Sequence, residues 1–523
     1  MIRLLNVYTI SAFAALGGML LGFDISSMSG IIGTEHYKSY FGNPLGILQG
    51  GITSAMAGGS VIGALSSIFL GDLQAVTDLY RLSRKVAIQL GAVLWCVGAV
   101  VQSTSDGIAM LIIGRAISGI GVGISSTLVP IYQSEIAPRK LRGRIVSFQQ
   151  FAITCGIMIQ YFIEYGFSFL DSEAVFRGPW AIQAAPGVVL FFSLFLFPHS
   201  PRWLASKDRW NEVLNVLAFL RTPNNNLNEP LVLAEYKEIE DQLMHEREGT
   251  SNSFREMLSP KMRKRVFLSM AIQIWDQLSG MNVMMYYIVY IFSSASVENS
   301  TRASSIQYVV NVVMTIPSIL WTDRWGRRPT LLIGSVVMAF WLSLIGGLLM
   351  RYGEPNPIAS QPYTWIIIGH PTATRCILAC SYLAVATFAL SWGPVGWIYP
   401  PEIVPLRIRA KSVAVATSAN WATNFVLALS VPLLLRSIQW RVFFIFASFN
   451  IGAFIHVYFR APETTRRTLE ELDEVFEHGE PPWKSFFGRQ ESNTLDVLAK
   501  DIELGAVKVS PGARVETLTS ALI

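Results

Sequence analysis

Charge is scarce in this chain. Of its 523 residues only 15% are Asp, Glu, Lys or Arg, where a soluble domain carries about 25%. Against that, 51% are hydrophobic and the mean hydropathy is +0.41. A chain this apolar cannot cover its own surface with polar side chains, so its solvent is a lipid bilayer. Cysteine is scarce too. The four (Cys96, Cys155, Cys376, Cys380) lie in apolar runs, which excludes a disulfide framework or a zinc spacing. Cys376 and Cys380 share a helix face and read as buried, inert thiols. No catalytic triad and no phosphate loop stands in its proper context, so neither an enzyme nor a metal or other cofactor is expected. The glycines Gly58, Gly59, Gly63, Gly119, Gly121 and Gly123 follow no strand, so they read as close helix packing and not as a nucleotide loop. The net charge of +5 is modest, and the basic residues sit in short loops and form no single basic face, which argues against nucleic acid as a partner.

What the chain does have is long apolar runs. A spanning helix needs about 20 such residues. Candidates cover 7–31, 48–70, 87–104, 107–131, 146–166, 179–197, 266–294, 305–322, 330–350, 374–399, 411–434 and 442–459. The run from Val7 lacks a cleavage site and reads as a retained first span, not a signal peptide. The loops carrying Arg81/Arg84/Lys85, Arg139/Lys140/Arg142/Arg144, Arg324/Arg327/Arg328 and Arg407/Arg409/Lys411 are all even-numbered. They belong on the cytoplasmic side, and both termini go with them. Asn299-Ser300-Thr301 then makes a glycosylation sequon in an outside loop. The expected layout is a first bundle over 1–197, a polar helical linker over 198–265 with a helix from Pro230 to Glu246, a second bundle over 266–459, and a largely disordered tail over 460–523. That tail carries a short acidic amphipathic stretch, Leu469 to Glu477.

One segment occurs twice. Residues 134–146 read Ser-Glu-Ile-Ala-Pro-Arg-Lys-Leu-Arg-Gly-Arg-Ile-Val, and 401–413 read Pro-Glu-Ile-Val-Pro-Leu-Arg-Ile-Arg-Ala-Lys-Ser-Val. Glu402 follows Glu135 by 267 residues (402 minus 135), and Pro405, Arg409 and Lys411 follow Pro138, Arg142 and Arg144 by the same step. A fixed offset of half the chain means duplication. Two like halves in a bilayer are the plan of many secondary transporters.

Further strings accompany the repeat. They are Asp323-Arg-Trp-Gly-Arg-Arg328, Pro198-His-Ser-Pro-Arg-Trp-Leu204, Pro462-Glu-Thr-Thr-Arg466, Gln277-Leu-Ser-Gly-Met-Asn282 before Tyr286-Tyr287, and Gly393-Pro-Val-Gly-Trp397. In order and on these loops, the set strongly resembles the sugar porter family of the major facilitator superfamily, most of all its fungal hexose carriers, from about residue 7 to 475. The resemblance implies an all-α membrane protein of about twelve helices in two six-helix bundles. It implies import of a monosaccharide, a hexose such as glucose, with a proton across the plasma membrane by a monomer. Facilitated diffusion and a non-transporting sugar sensor are the rival readings.

Site residues follow. An acid at bilayer depth costs about 2.5–3.5 kcal/mol to insert, so Asp24 in the first span is a functional candidate, with Arg115 in the fourth as its partner. The resemblance makes Asp24 the proton acceptor. It places the sugar on Gln150, Gln277, Asn282, Tyr287, Asn311, Trp397 and Asn420, where carboxamides match hydroxyls that both donate and accept. It also forms a cytoplasmic gate from Glu135, Arg142 and Arg144 in the first half and Asp323, Arg324, Arg327, Arg328, Glu402, Arg409 and Glu463 in the second, since Arg grips carboxylates as a planar fork. Three departures stand out. The 71–85 loop is longer than the family's and lacks its turn glycine, which means a weaker first-half gate or residues wrongly inserted near 72–80. His199 replaces the family's Glu. Asp276 replaces a Gln, which places the acid against either the sugar or a neighbouring helix.

Overall fold

The computed structural model describes residues 7–70, 83–138, 141–222, 224–248, 256–260, 262–297, 300–356 and 364–465, with a few positions beyond. Backbone inside lipid must satisfy its own hydrogen bonds, so the apolar runs coil into helices. The first half contains Val7–Ala14 (α1) and Leu16–Ser26 (α2), joined at Ala15, then Glu35–Tyr40 (α3), Ile47–Leu70 (α4), Arg84–Ser103 (α5), Ile108–Ile136 (α6) and Arg142–Phe167 (α7). Its sixth span is jointed, Ala174–Ile182 (α8) and Ala184–Ser193 (α9). Between the halves lie Pro201–Ser206 (α10), Trp210–Arg221 (α11) and Pro230–Glu248 (α12). The second half contains Arg263–Leu278 (α13), Met281–Tyr286 (α14), Ile288–Ser294 (α15), Ser300–Trp325 (α16), Arg327–Tyr352 (α17), Pro371–Leu390 (α18), Trp392–Ile403 (α19), Leu406–Ser437 (α20) and Arg441–Arg460 (α21).

Among the described residues, eleven segments are long and apolar enough to cross a membrane. The remaining expected span, 266–294, is present but broken into α13, α14 and α15. Gly280 separates the first two with a φ of +90°, a conformation that glycine reaches without steric cost. The span expected at 374–399 is likewise split at Ser391. Apolar content alone does not reveal such breaks. Broken helices persist in membranes where the freed backbone faces protein or a cavity, which places both breaks toward the interior. The expectation of an all-α protein needs one small amendment, an antiparallel ribbon of Gly353–Pro355 (β1) and Trp365–Ile367 (β2).

The glycines do pack helices. A Cβ at Gly59 would lie 2.1 Å from the Ala116 carbonyl oxygen, and one at Gly119 2.1 Å from that of Met56. α4 and α6 therefore touch backbone to backbone. The halves meet where α4 runs along α20, with Gly50 against the Leu429 carbonyl, and where α7 runs along α16. Tyr161 donates to the Thr301 carbonyl at 2.9 Å and Trp421 to Ser126 Oγ at 3.1 Å.

Large apolar side chains point outward. Phe69, Phe192 and Ile333 are 69%, 64% and 66% exposed, a belt that only lipid tolerates. Cys376 also lies on this outer face, contrary to the expectation of burial, whereas Cys380 is buried. The polar middle builds its own small core around Leu204, Leu217, Val232 and Tyr236. Arg221 ties it to the first half, gripping both Glu235 oxygens at 2.6 and 2.7 Å and the Ile136 carbonyl at 2.9 Å. The atypical loop at 71–82, Asn299 of the sequon and the 466–475 stretch of the tail lie outside the described residues, as do the side chains of Arg142 and Asp323.

Candidate functional site

Asp24 and Arg115 are both fully buried and face each other, Oδ1 to Nη1 at 3.3 Å. Ser27 stands one turn after Asp24 and bridges the pair. It donates to Asp24 Oδ1 at 3.2 Å and accepts from Arg115 Nη1 at 3.0 Å. Arg115 Nη2 reaches the Thr53 carbonyl on α4 at 3.4 Å. Asp24 Oδ2 and Arg115 Nε have no hydrogen-bond partner among the described residues. Asp24 Oδ2 is thus an unused acceptor and Arg115 Nε an unused donor.

The break in the seventh span gathers amides. Gln277 ends α13. Its Nε2 donates to Asn420 Oδ1 at 3.0 Å, and its Oε1 accepts from Asn282 Nδ2 and, at 3.0 Å, from Asn424 Nδ2. Asn420 in turn donates to Gln273 Oε1 at 2.6 Å, and Gln273 donates to the Gly396 carbonyl at 2.9 Å. Tyr286 closes the group by donating to Asn424 Oδ1 at 3.4 Å. The helix that carries Tyr286, α14, also packs against α2, which carries Asp24. The amide cluster and the ion pair are therefore carried on neighbouring helices.

The other sequence-derived candidates are placed around this group. Tyr287 donates to the Ala428 carbonyl at 2.7 Å. Asp276 is buried, accepts from Gln277 at 3.4 Å and packs against Gly396. Gln150 comes from the first half and lies against Gly393, one turn before the half-buried Trp397. Asn311 is buried on α16 with Oδ1 unpartnered among the described residues and makes no hydrogen bond to the cluster. Sequence reasoning missed Gln273, Asn424 and Tyr286. The four-residue steps Gln273/Gln277 and Asn420/Asn424 put like amides on one helix face and were the available signal.

At the arginine-rich end the two halves differ. In the second, Arg327 forks onto Glu402, Nη2 to Oε1 at 2.9 Å and Nε to Oε2 at 3.3 Å. Glu463 caps α17, accepting from the backbone N–H of Arg327 at 3.0 Å and Arg328 at 3.1 Å, where the helix dipole favours an anion. Arg328 lies over the Tyr458 ring at 5.3 Å. Arg409 donates to the Val404 carbonyl at 3.3 Å, and Arg324 is exposed in the last turn of α16. In the first half, among the described residues, Arg84 Nη2 meets Glu135 at 3.3 Å, and Arg144 is half-buried. Arg84 was not among the expected gate residues, because a basic loop does not show which of its cations points inward. His199 provides no anion. It stacks on Trp203 at 4.9 Å, and burial, then Lys85 and Arg209, hold its pKa below the usual imidazole value. Ser83 takes over the capping task, its Oγ accepting from Val86 N at 3.2 Å.

Comparison with known proteins identifies the family. The family model described as "Sugar (and other) transporter" matches residues 10–476. A glucose transporter of the major facilitator superfamily from Aspergillus flavus is 49% identical over 97% of this chain and 96% of its own length. The high glucose sensor RGT2 of Saccharomyces cerevisiae is 33% identical over 89% of this chain but only 60% of its own length. The proton:xylose symporter XylE bound to 6-bromo-6-deoxy-D-glucose has the same fold, with a TM-score of 0.74 at 24% identity over 90% of this chain and 99% of that one. The chain belongs to the sugar transporter family of the major facilitator superfamily, a family of membrane carriers and not of enzymes.

Proposed function

We propose that this protein imports a neutral monosaccharide, a hexose such as glucose, together with a proton across the plasma membrane. The carrying observation is the buried Asp24–Arg115 pair on helices packed against a broken helix that gathers an amide cluster. Gln277, Asn282 and Asn420 bind sugar hydroxyls, with Gln150 facing them from the other half. Trp397 and Tyr287 flank the ring, while Asn311 and Asp276 line the same path. The arginine-rich end faces the cytoplasm with both termini, and the protein works as a monomer. Residues 1–197 and 266–459 act as the two rocking bodies, 198–265 as their inner linker and 460–523 as the tail.

The mechanism follows from charge. Outside, a proton neutralises Asp24 and weakens its hold on Arg115. Arg115, Ser27 and Thr53 then rearrange, and Tyr286 transmits the change to the amides. Inside, the re-formed ion pair expels the proton. One proton crossing 100 mV releases about 2.3 kcal/mol, enough to concentrate a neutral solute roughly 50-fold. At the cytoplasmic mouth the Arg327–Glu402 fork and the Glu463 cap hold the second half rigid, and Arg84–Glu135 holds the first half. Arg142, Arg144, Asp323, Arg324, Arg328 and Arg409 complete this gate.

Uptake of radiolabelled glucose in a yeast strain lacking its own hexose carriers tests the reading. Symport requires that a protonophore and Asp24→Asn each abolish accumulation. Uptake indifferent to both means facilitated diffusion with a structural ion pair. A chain that reaches the surface and carries nothing is a sensor.

A further inference from the structure

The end of the molecule opposite the arginine-rich loops holds a separate cavity of about 170 Å³ lined by both polar and apolar groups, room for about six waters at roughly 30 Å³ each and so comparable to one pyranose. Both halves line it: Thr34, Lys38, Glu164 and Tyr165 from the first, Tyr290 and Ser293 from the second. Glu164 is its unusual member. This acid on α7 is only 3% exposed, and its hydrogen bonds are to neutral groups. Oε2 accepts from Gly30 N at 2.9 Å and Oε1 from Gln160 Nε2 at 3.4 Å. A carboxylate has about four acceptor positions, so about two remain for a guest. Across the cavity Lys38 offers ammonium donors, shared with Glu35 at 3.3 Å.

That mixture selects the guest. Lys38 repels a metal cation, and the Glu164 carboxyl, which accepts from Gly30 and Gln160, offers an anion no cationic partner. A neutral polyol satisfies both, its hydroxyls donating to the carboxylate and accepting from the ammonium, with a C–H face laid on Tyr165 or Tyr290. The cavity also connects inward. The Tyr290 ring stacks on Tyr287 with centroids 6.0 Å apart, and Tyr287 lies 6.2 Å from Tyr286, which bonds the amide cluster.

We infer that this cavity is a second monosaccharide site, in the outer mouth, formed by both halves when that mouth is shut. The inference rests on the sugar reading above but concerns different residues. Calorimetric titration of the purified full chain in lipid nanodiscs with D-glucose tests it. Gln277→Ala is expected to weaken the central class about thirtyfold, out of the concentration range titrated, and to leave the outer class within it. Adding Glu164→Gln, or Ser293→Phe to fill the cavity without touching the Gly30 contact, is expected to weaken that remainder about tenfold. If wild type binds glucose and Gln277→Ala binds none, the outer site is overturned while the central reading stands. A residual class indifferent to both further substitutions overturns it equally. Wild-type protein that binds no glucose instead removes the proposed function beneath it.

Discussion

Arg84 and Arg327 occupy the same place in the two halves: each begins its helix and each binds the glutamate of the repeated hinge, Glu135 in one case and Glu402 in the other. The copies are unequal. Arg327 forks at 2.9 and 3.3 Å and Glu402 also accepts from Thr464 Oγ1 at 2.6 Å, whereas among the described residues Arg84 meets Glu135 at one contact of 3.3 Å. Removing one partner of a buried pair costs about 3–5 kcal/mol. Glu402 is a quarter exposed, so its loss belongs at the low end. Glu402→Gln should lower the thermal unfolding midpoint of the detergent-purified chain more than Glu135→Gln does. Equal shifts would show that the asymmetry carries no energy.

Asp24→Asn keeps shape and removes charge. Sugar accumulation should fall at least tenfold under a proton gradient while sugar exchange without a gradient survives. Medium alkalinisation on sugar addition should vanish with it. Persistence of that alkalinisation would assign the proton to another group.

The amide cluster orders its members. Gln277 bonds Asn282, Asn420 and Asn424, while Asn311 bonds none of them. Gln277→Ala should weaken glucose binding by about 2 kcal/mol, as loss of one to two hydrogen bonds to a buried site does. Asn311→Ala should cost less. The reverse order, measured by equilibrium binding, would relocate the sugar toward α16.

α4 and α6 have no room for side chains at their contact. Gly119→Val would drive methyl groups into the Met56 carbonyl, already 2.1 Å from the added Cβ, at a cost of about 1–3 kcal/mol or more. Fluorescence-detected size-exclusion should show loss of the monodisperse peak. Gly347, where an added Cβ meets nothing, should accept alanine without change.

His199 gives a small acid limb. Burial, then Lys85 and Arg209, hold its folded pKa below the usual imidazole value, so the folded state resists protonation. Its contribution is complete above about 6.5 and is lost as pH falls through the depressed folded value. His199→Gln should flatten that part of the melting curve against pH. An unchanged slope would mean other groups set it.

Much of the site was legible because intramembrane polarity is expensive. Asp24 and Arg115 were the buried charges that apolar runs could not explain, and they pair. Gln277, Asn282 and Asn420 were legible as amides at bilayer depth. Glu164 was not, because an acid near a helix end reads as solvated until a cavity forms around it. Nor was Arg84, since a loop of several cations does not say which one meets Glu135.

Composition, run length and the repeated hinge by themselves determined a duplicated, membrane-embedded helical carrier, because burial in lipid leaves the chain few other solutions. Only the tertiary structure decided where helices break, at Gly280 and Ser391, and which amides converge there. It also decided that Ser83 caps the helix whose counterpart Glu463 caps. Those outcomes depend on what lies across a helix interface, and the spacing of residues along one chain does not encode its neighbour's face.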